Sequence, residues 1–126
     1  MSDLKSKTME MKNWAVIGAT TDKDRFGYKV VKILKDNNYN VYPVTPKYDK
    51  IAGLKAYNRV SDIEDDIDVV DFVVNPQIGI KLIGDIIESD IKYIWLQPGS
   101  RSDELKEKAE KNNIQVIEDC IYASLN

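Results

Sequence analysis

The residues best placed to do chemistry form a polar turn between an apolar stretch and an amphipathic one. The apolar stretch Trp14-Ala-Val-Ile17 is followed by Gly18, by the basic residues Lys23 and Arg25, and by Gly27. This order predicts a buried strand, a turn and a helix whose N-terminus lies at the carboxyl edge of a sheet. There, unpaired N–H groups and the positive end of the helix dipole favour phosphate. An arginine can add a bidentate clamp. The pattern therefore indicates phosphate binding.

This turn does not match the dinucleotide fingerprint G-x-G-x-x-G, because eight residues separate Gly18 from Gly27. A lone glycine after a strand is a weak signal. The alternative interpretation is that the lysine and arginine of the turn are solvated charges that balance Asp22 and Asp24. The sequence leaves both interpretations open.

The residues that follow the second predicted strand, Asn40 to Val44, discriminate between nucleotides. NAD sites place an acidic residue there to hold the ribose hydroxyls. Here the chain continues with Thr45, Pro46 and Lys47. A lysine in that place suits a phosphomonoester on the ribose, which carries roughly −1.5 to −2 charges. Coenzyme A and NADP both carry such a group, and NAD is disfavoured.

Another polar turn follows the predicted strand Tyr93 to Leu96. Pro98 and Gly99 are primarily turn residues, although Gln97 and the backbone could also line a pocket. Trp95 is expected in the core.

Cys120 is the one cysteine of the chain, which fits a reducing compartment. It follows Glu118 and Asp119, whose negative charges oppose a thiolate and argue against a nucleophilic role. Two interpretations remain: a packed structural thiol, and a thiol near the ligand that could be modified reversibly.

Composition narrows the function classes. The 126 residues suit one domain, and the net charge of −3 argues against a general nucleic-acid or membrane binder. The absence of histidine removes Ser-His-Asp and Cys-His catalysis and His-ligated zinc. The polar N-terminus and the lack of a long apolar run predict a cytoplasmic protein. The acidic residues of one segment are expected to be solvated rather than to bind a metal: Asp62, Glu64, Asp65, Asp66, Asp68 and Asp71.

Apolar strands that alternate with helical patterns predict an α/β fold. The remaining predicted strands are Val69 to Val74 and Gln115 to Ile117, and the helices are Phe26 to about Asn37, Gln77 to Ser89 and Ser102 to Asn112. Right-handed crossovers make this a doubly wound, mostly parallel, Rossmann-like sheet of five or six strands, with an outer strand near Lys55 to Tyr57. Phe26 and Ile78 are predicted to face inward. Residues 1–12 are predicted as a tail or short helix, and residues 13–126 as the domain.

Several segments in register resemble a known family: Val16-Ile-Gly18-Ala, Tyr39-Asn-Val-Tyr-Pro-Val-Thr-Pro46, Ile94-Trp-Leu-Gln-Pro-Gly99 and Asp119-Cys-Ile121. Together they resemble the small bacterial CoA-binding proteins, a single-domain Rossmann-like family similar to the N-terminal domain of the succinyl-CoA synthetase alpha subunit. The resemblance covers about residues 12 to 122.

The resemblance implies a site for the nucleotide end of coenzyme A. Phosphate would be held at the first turn, the adenosine and its phosphate at the second, and the remaining wall would come from Pro76, after the strand Val69 to Val74, and from Gln97 to Gly99. The predicted site residues are Gly18, Thr20, Lys23, Arg25, Phe26, Gly27, Thr45, Pro46, Lys47, Pro76, Gln97, Pro98 and Gly99. The family commonly has asparagine where this chain has Thr45.

Three functions are compatible with these features. The first is non-catalytic binding of coenzyme A or an acyl-CoA. The second is a regulatory or scaffold protein with a vestigial pocket, and the third is an NADP-dependent enzyme. The synthetase reaction is not expected, since that enzyme carries a phosphohistidine in a second domain. The expected partner is a small nucleotide ligand, not a nucleic acid or a membrane.

Overall fold

Five parallel strands form the central sheet of the computed structural model, which describes residues 3–126. The strands are β1 (Asn13–Ile17), β2 (Asn40–Val44), β3 (Lys50–Ile51), β4 (Leu54–Lys55), β5 (Val69–Phe72), β6 (Tyr93–Leu96) and β7 (Gln115–Ile117). The helices are α1 (Asp3–Met9), α2 (Phe26–Asp36), α3 (Pro76–Glu88), α4 (Asp103–Lys111) and α5 (Ile121–Leu125). The sheet order is β2-β1-β5-β6-β7, while β3 and β4 form a separate hairpin. The predicted doubly wound α/β fold is confirmed.

The predicted outer strand is wrong in extent. Lys55 pairs within the hairpin, and beyond β2 the described residues form a single parallel bridge, between Val44 and Tyr57. Tyr57 donates its N–H to the Pro43 carbonyl and accepts from the N–H of Thr45. Because Pro43 has no N–H of its own, the ladder cannot continue past it.

Two apolar cores lie on opposite faces of the sheet. On one face, α3 and α4 cover Phe72 and Ile94 with Ile83, Ile86 and Leu105. On the other face, α2 and α5 pack over the two tryptophans, with the α1 residues Leu4 and Met9 at the margin. Strands buried on both faces explain the nearly continuous apolar runs of the sequence.

The inward orientation predicted for Phe26 and Ile78 is wrong: their exposed fractions are 49% and 43%. Both residues lie in the first turn of a helix, α2 and α3 respectively, beyond the end of the sheet. The buried residues in these turns are the following glycines, Gly27 and Gly79. A Cβ at Gly27 would lie 2.2 Å from the Gly18 carbonyl oxygen, and one at Gly79 would lie 3.0 Å from the Leu105 side chain.

The expectation that Asp71 is solvated is also wrong. Its exposed fraction is 0%, because it lies in the central strand β5 between Val16 of β1 and Trp95 of β6. The surrounding acidic residues stay at the surface, and Asp65, for example, accepts a hydrogen bond from Tyr42 Oη at 2.8 Å.

The chain ends in helices that pack on the sheet. In α1 the fully buried Thr8 accepts a hydrogen bond from Trp95 Nε1 at 2.9 Å. Helix α5, which the sequence interpretation missed, buries Ile121. Over residues 3–126, no helix combines the length and the apolar character needed to cross a membrane.

Candidate functional site

The carboxyl ends of the strands meet at one edge of the sheet, where α2, α3 and α4 begin. The connections that leave β1 and β5 there turn to opposite faces of the sheet, because these adjacent strands lie on either side of the reversal in strand order. Ligands of open α/β sheets bind in the crevice at this point. The turns that border it span residues 18–25, 45–49, 73–75 and 97–102.

Two glycines bring the N-terminus of α2 against the end of β1. Gly18 has φ +92°, and a Cβ there would lie 2.2 Å from the Val73 carbonyl oxygen. A Cβ at Gly27 would lie 2.2 Å from the Gly18 carbonyl oxygen. Both positions therefore require glycine for packing, whatever they bind.

The first turn of α2 is open. Arg25 occupies the N-cap position but its side chain makes no capping bond, and the first turn holds no acidic residue. Among residues 3–126, no acceptor is found for the N–H groups of Phe26 and Gly27. By contrast, Asn75 caps α3 and Ser102 caps α4, each accepting a backbone N–H at 3.0 Å. Of these three helices, α2 thus presents free donors and an uncompensated dipole at the crevice.

The basic residues of the predicted site are exposed. Lys23, Arg25 and Lys47 show no ion pair or side-chain hydrogen bond within the part of the chain that the structure describes. The neighbouring Asp22 does not pair with them, since its Oδ1 accepts the N–H of Asp24 at 3.1 Å. These positive charges are available to a ligand.

A weak contact connects the first turn to the second. Thr20 Oγ1 lies 3.5 Å from Tyr48 Oη, and hydrogen bonding to Thr20 and Thr21 lowers the pKa of Tyr48. Tyr48 directly follows Lys47, so the structure brings these two predicted regions together at one edge.

Thr45 and Pro46 take different environments. The Thr45 side chain is buried, with 6% of the residue exposed, and its Oγ1 accepts the N–H of Lys47 at 3.2 Å. The Thr45 hydroxyl therefore stabilises the turn at the position where the family commonly has an asparagine amide. Pro46 is exposed beside it.

The third and fourth turns form the other side of the crevice. Pro76 is the first residue of α3, and Pro98 and Gly99 are exposed in the turn after β6. Gln97 is turned inward: its Nε2 donates to Cys120 Sγ at 3.2 Å and its Oε1 accepts the N–H of Ile121 at 2.9 Å.

Ser100, which the sequence interpretation did not assign to the site, fixes this turn to the end of β5. Its Oγ donates to the Val74 carbonyl at 2.5 Å and accepts the Val74 N–H at 3.1 Å. A serine that follows a Pro-Gly turn was the available signal for this role.

The electrostatic surroundings of Cys120 differ from those inferred from the sequence. Glu118 pairs with Lys106 at 3.2 Å and Asp119 with Lys5 at 2.8 Å. The hydrogen bond from Lys5 is the main cause that lowers the pKa of Asp119. The two adjacent carboxylates are therefore compensated by lysines.

The carboxyl that interacts electrostatically with Cys120 is that of Asp71, which sequence reasoning placed in a solvated segment. Neither of its oxygens has a hydrogen-bond partner within residues 3–126. Burial, and after it the charge of Cys120, raise the pKa of Asp71 well above its ordinary value. The available signal was an aspartate inside an apolar run, Val69-Val-Asp-Phe-Val-Val74.

An aromatic pair lies at the first turn of α2, on one side of the crevice. The exposed ring of Phe26 meets Tyr122 edge to face at 5.8 Å between centroids, and Lys29 Nζ lies 5.3 Å from the centre of the Phe26 ring. Helix α5 is thereby connected to the first turn of α2.

Comparison with known proteins links this geometry to a family. The sequence profile of the CoA binding domain matches residues 12–126. The ADP-forming acetate–CoA ligase of Methanocaldococcus jannaschii is 35% identical over 114 residues, which are 84% of this chain and 16% of the ligase. The chain thus spans about a sixth of that relative's length.

Two smaller proteins match over most of their length. The uncharacterized protein YneT of Bacillus subtilis is 27% identical over 121 residues, which cover 95% of this chain and 90% of YneT. The solved structure of a conserved hypothetical protein from Pyrococcus furiosus superposes with a TM-score of 0.85 at 33% identity, covering 90% of this chain and 99% of that one.

Proposed function

Because the chain belongs to the CoA binding domain family, we propose that it binds coenzyme A or an acyl-CoA at the carboxyl edge of its sheet. The ligand's phosphoadenosine diphosphate end makes the contacts. In this proposal the chain itself performs no catalysis.

The observation that carries the proposal is the open first turn of α2. Within residues 3–126, the N–H groups of Phe26 and Gly27 have no acceptor, and Arg25 stands at the cap position without an ion-pair partner. A pyrophosphate placed there accepts from the helix amides and from the guanidinium. Such charge-assisted bonds are about twice as strong as neutral ones.

Lys47 supplies the second anchor. It follows β2, the neighbour of β1, on the same edge as the open turn. The phosphomonoester on the adenosine ribose of coenzyme A is the group that this lysine contacts. The ligand then spans the first two turns, and its uncharged arm runs toward Pro76 and Pro98.

Binding without catalysis is supported by the chemistry of the nearby side chains. The chain contains no histidine. The Ser100 hydroxyl is occupied by both its bonds to Val74, so it is not poised as a nucleophile. In the ligase relative, the matched segment is a small part of the enzyme.

Two alternatives from the sequence remain to be tested against this proposal. An NADP-dependent enzyme would share the Lys47 contact, and a scaffold protein with a vestigial pocket would bind no nucleotide. A panel of CoA, acetyl-CoA, NADP, NAD and ATP separates them in a thermal-shift assay. A ligand present at a hundred times its Kd stabilises the fold by about 2.7 kcal/mol.

The sharpest test pairs a ligand change with a residue change. We expect wild type to bind CoA more tightly than dephospho-CoA, and Lys47→Ala to abolish that preference. One charge-assisted contact is worth about 1.5 to 3 kcal/mol, which is roughly tenfold to 150-fold in Kd by calorimetry. The control is Lys111→Ala, at the far end of α4. Equal affinities of wild type for both ligands would remove Lys47 from the site.

A further inference from the structure

Cys120 lies beside the proposed ligand site. This half-buried residue immediately precedes α5, and its Sγ accepts a hydrogen bond from Gln97 Nε2 at 3.2 Å. Two residues later, Tyr122 contacts the Phe26 ring of the first turn of α2. The thiol is thus bracketed by the turn after β6 and by the turn proposed to hold the pyrophosphate.

The carboxyl of Asp71 is the second observation at this place. It is fully buried, and neither oxygen has a hydrogen-bond partner in residues 3–126. It lies on the face of the sheet that α2 and α5 cover, alongside Val16 and Trp95, and its pKa is raised by burial and, after burial, by electrostatic interaction with Cys120. An unpaired buried carboxyl is costly to a fold, and no contact within the described residues explains this one.

The two groups have matched chemistry. An ordinary carboxylate is a poor proton acceptor for a thiol, because its pKa lies several units below. Burial raises the pKa of Asp71 and narrows that gap. A carboxylate of raised pKa on the same face of the sheet as a thiol, and in electrostatic interaction with it, is a competent acceptor for the proton that the sulfur must lose before it attacks.

We propose that Cys120 is a modification site that forms a mixed disulfide with coenzyme A, with Asp71 as the acceptor of the thiol proton. This inference rests on the proposed function, because the nucleotide end selects the reagent. The co-reactant is a disulfide of coenzyme A.

The reaction is a thiol–disulfide exchange. The Cys120 S–H bond breaks and the proton passes to Asp71. Sγ then attacks one sulfur of the CoA disulfide, a new S–S bond forms, and the old S–S bond breaks. The second CoA departs as a thiolate and regains the proton from Asp71. One disulfide is consumed and one is formed, so no other oxidant is needed.

Binding of the nucleotide end makes the exchange selective. A CoA disulfide held at the open turn of α2 presents its sulfur at a high effective concentration, whereas glutathione disulfide must react by collision. We expect wild type to react with CoA disulfide at least a hundredfold faster than with glutathione disulfide at equal concentration.

The experiment follows the intact mass of the full chain after acid quenching. Wild type should gain one CoA moiety that dithiothreitol removes, and Cys120→Ser should gain none. Asp71→Asn, which keeps the side-chain shape but cannot accept the proton, should react at least tenfold more slowly. Its alkylation by iodoacetamide should slow by a similar factor, while its Kd for reduced CoA should not change.

The outcomes separate this inference from the proposed function. Calorimetry of reduced CoA on Cys120→Ser measures the binding alone. If CoA binds but wild type forms no adduct, or reacts equally fast with both disulfides, Cys120 is not the proposed site and CoA binding stands. If CoA does not bind, both proposals fail.

An undiminished rate in Asp71→Asn removes Asp71 from the reaction. The comparison of the two disulfides on wild type is independent of the folding of any variant.

Discussion

Arg25 occupies a cap position without acting as a cap. Its backbone is extended, and its side chain makes no bond to the first turn of α2. A residue of this kind leaves the helix donors free and adds a charge beside them. Arg25 therefore contributes less to the stability of α2 than a capping side chain would, and this is the arrangement that the proposed phosphate site requires.

We expect Arg25→Ala to weaken CoA binding at least tenfold and to leave the melting temperature unchanged. Arg25→Lys should recover only part of the affinity, because lysine cannot form the bidentate contact. The matched control is Arg59→Ala, since Arg59 precedes the short 3₁₀ turn Val60–Asp62 with no side-chain cap of its own. An unchanged Kd in Arg25→Ala, measured by calorimetry, would favour the solvated-charge interpretation.

Asp71 predicts a pH dependence of stability. Its folded-state pKa is raised above the ordinary value of 3.8, so the native state binds the proton more tightly than the unfolded chain. The contribution of Asp71 to the free energy of unfolding is fully present below about pH 4 and is lost as the pH rises toward the folded-state pKa.

We therefore expect Asp71→Asn to gain stability relative to wild type between pH 4 and pH 7. Each unit of pKa shift corresponds to about 1.4 kcal/mol. Urea unfolding at the two pH values measures the difference, with exposed Asp62→Asn as the control. A difference that does not change with pH would mean that Asp71 keeps its ordinary pKa.

At the scale of elements, the junction of β1 and α2 determines the position of the open helix start that forms the proposed site. The close approach at Gly18 and Gly27 places the helix N-terminus directly over the strand end. The same approach leaves Phe26 outside the core, next to the crevice. Helix α2, which makes this close approach, is also the one of α2, α3 and α4 whose first turn is open.

We expect Gly27→Ala to destabilise the protein by about 2 kcal/mol or more, because the methyl group meets backbone that cannot move aside. Gly84→Ala in α3 is the matched control: nothing lies within 4 Å of its added Cβ. There, the better helix propensity of alanine should stabilise by about 0.5 to 1 kcal/mol. Denaturant unfolding measures both, and a neutral Gly27→Ala would contradict the close approach.

At the scale of the whole molecule, the first helix completes one face of the sheet. Thr8 of α1 accepts the indole N–H of Trp95, and Trp95 meets Trp14 at 5.4 Å between centroids. The family profile begins at residue 12, beyond this helix. The domain boundary predicted between residues 12 and 13 stays a prediction. Helix α1 lies before that boundary, and its Thr8 bonds to Trp95, which lies after it.

We expect Thr8→Val to destabilise the protein by about 1 to 3 kcal/mol, because it leaves the buried Trp95 N–H without an acceptor. Ser6→Ala, on the exposed side of the same helix, should change stability by less than about 0.5 kcal/mol. Chemical unfolding followed by tryptophan fluorescence reports both. Equal effects of the two substitutions would show that α1 does not support the core.

The sequence by itself determined the five strands of the central sheet and the helices between them, in their order along the chain, but not α5 or the β3–β4 hairpin. The bounds predicted for Asn40–Val44, Tyr93–Leu96 and Gln115–Ile117 agree with the structure, since short apolar runs between turn residues are local signals. The glycine turn and the Tyr-Pro-Val-Thr-Pro46 and Trp-Leu-Gln-Pro-Gly99 segments also identified the family correctly.

The tertiary structure alone decided which side chains are free at the site. Phe26 and Ile78 have the spacing of core residues but lie past the end of the sheet. The helical periodicity of a sequence does not show where the sheet ends. Gln97 is polar yet is turned inward, because α5, which no pattern predicted, supplies its partner. Asp71 belongs by sequence to an acidic surface but is fully buried in the central strand, where it interacts electrostatically with Cys120. Burial and partners depend on contacts between residues far apart in the chain, and local pattern carries no information about them.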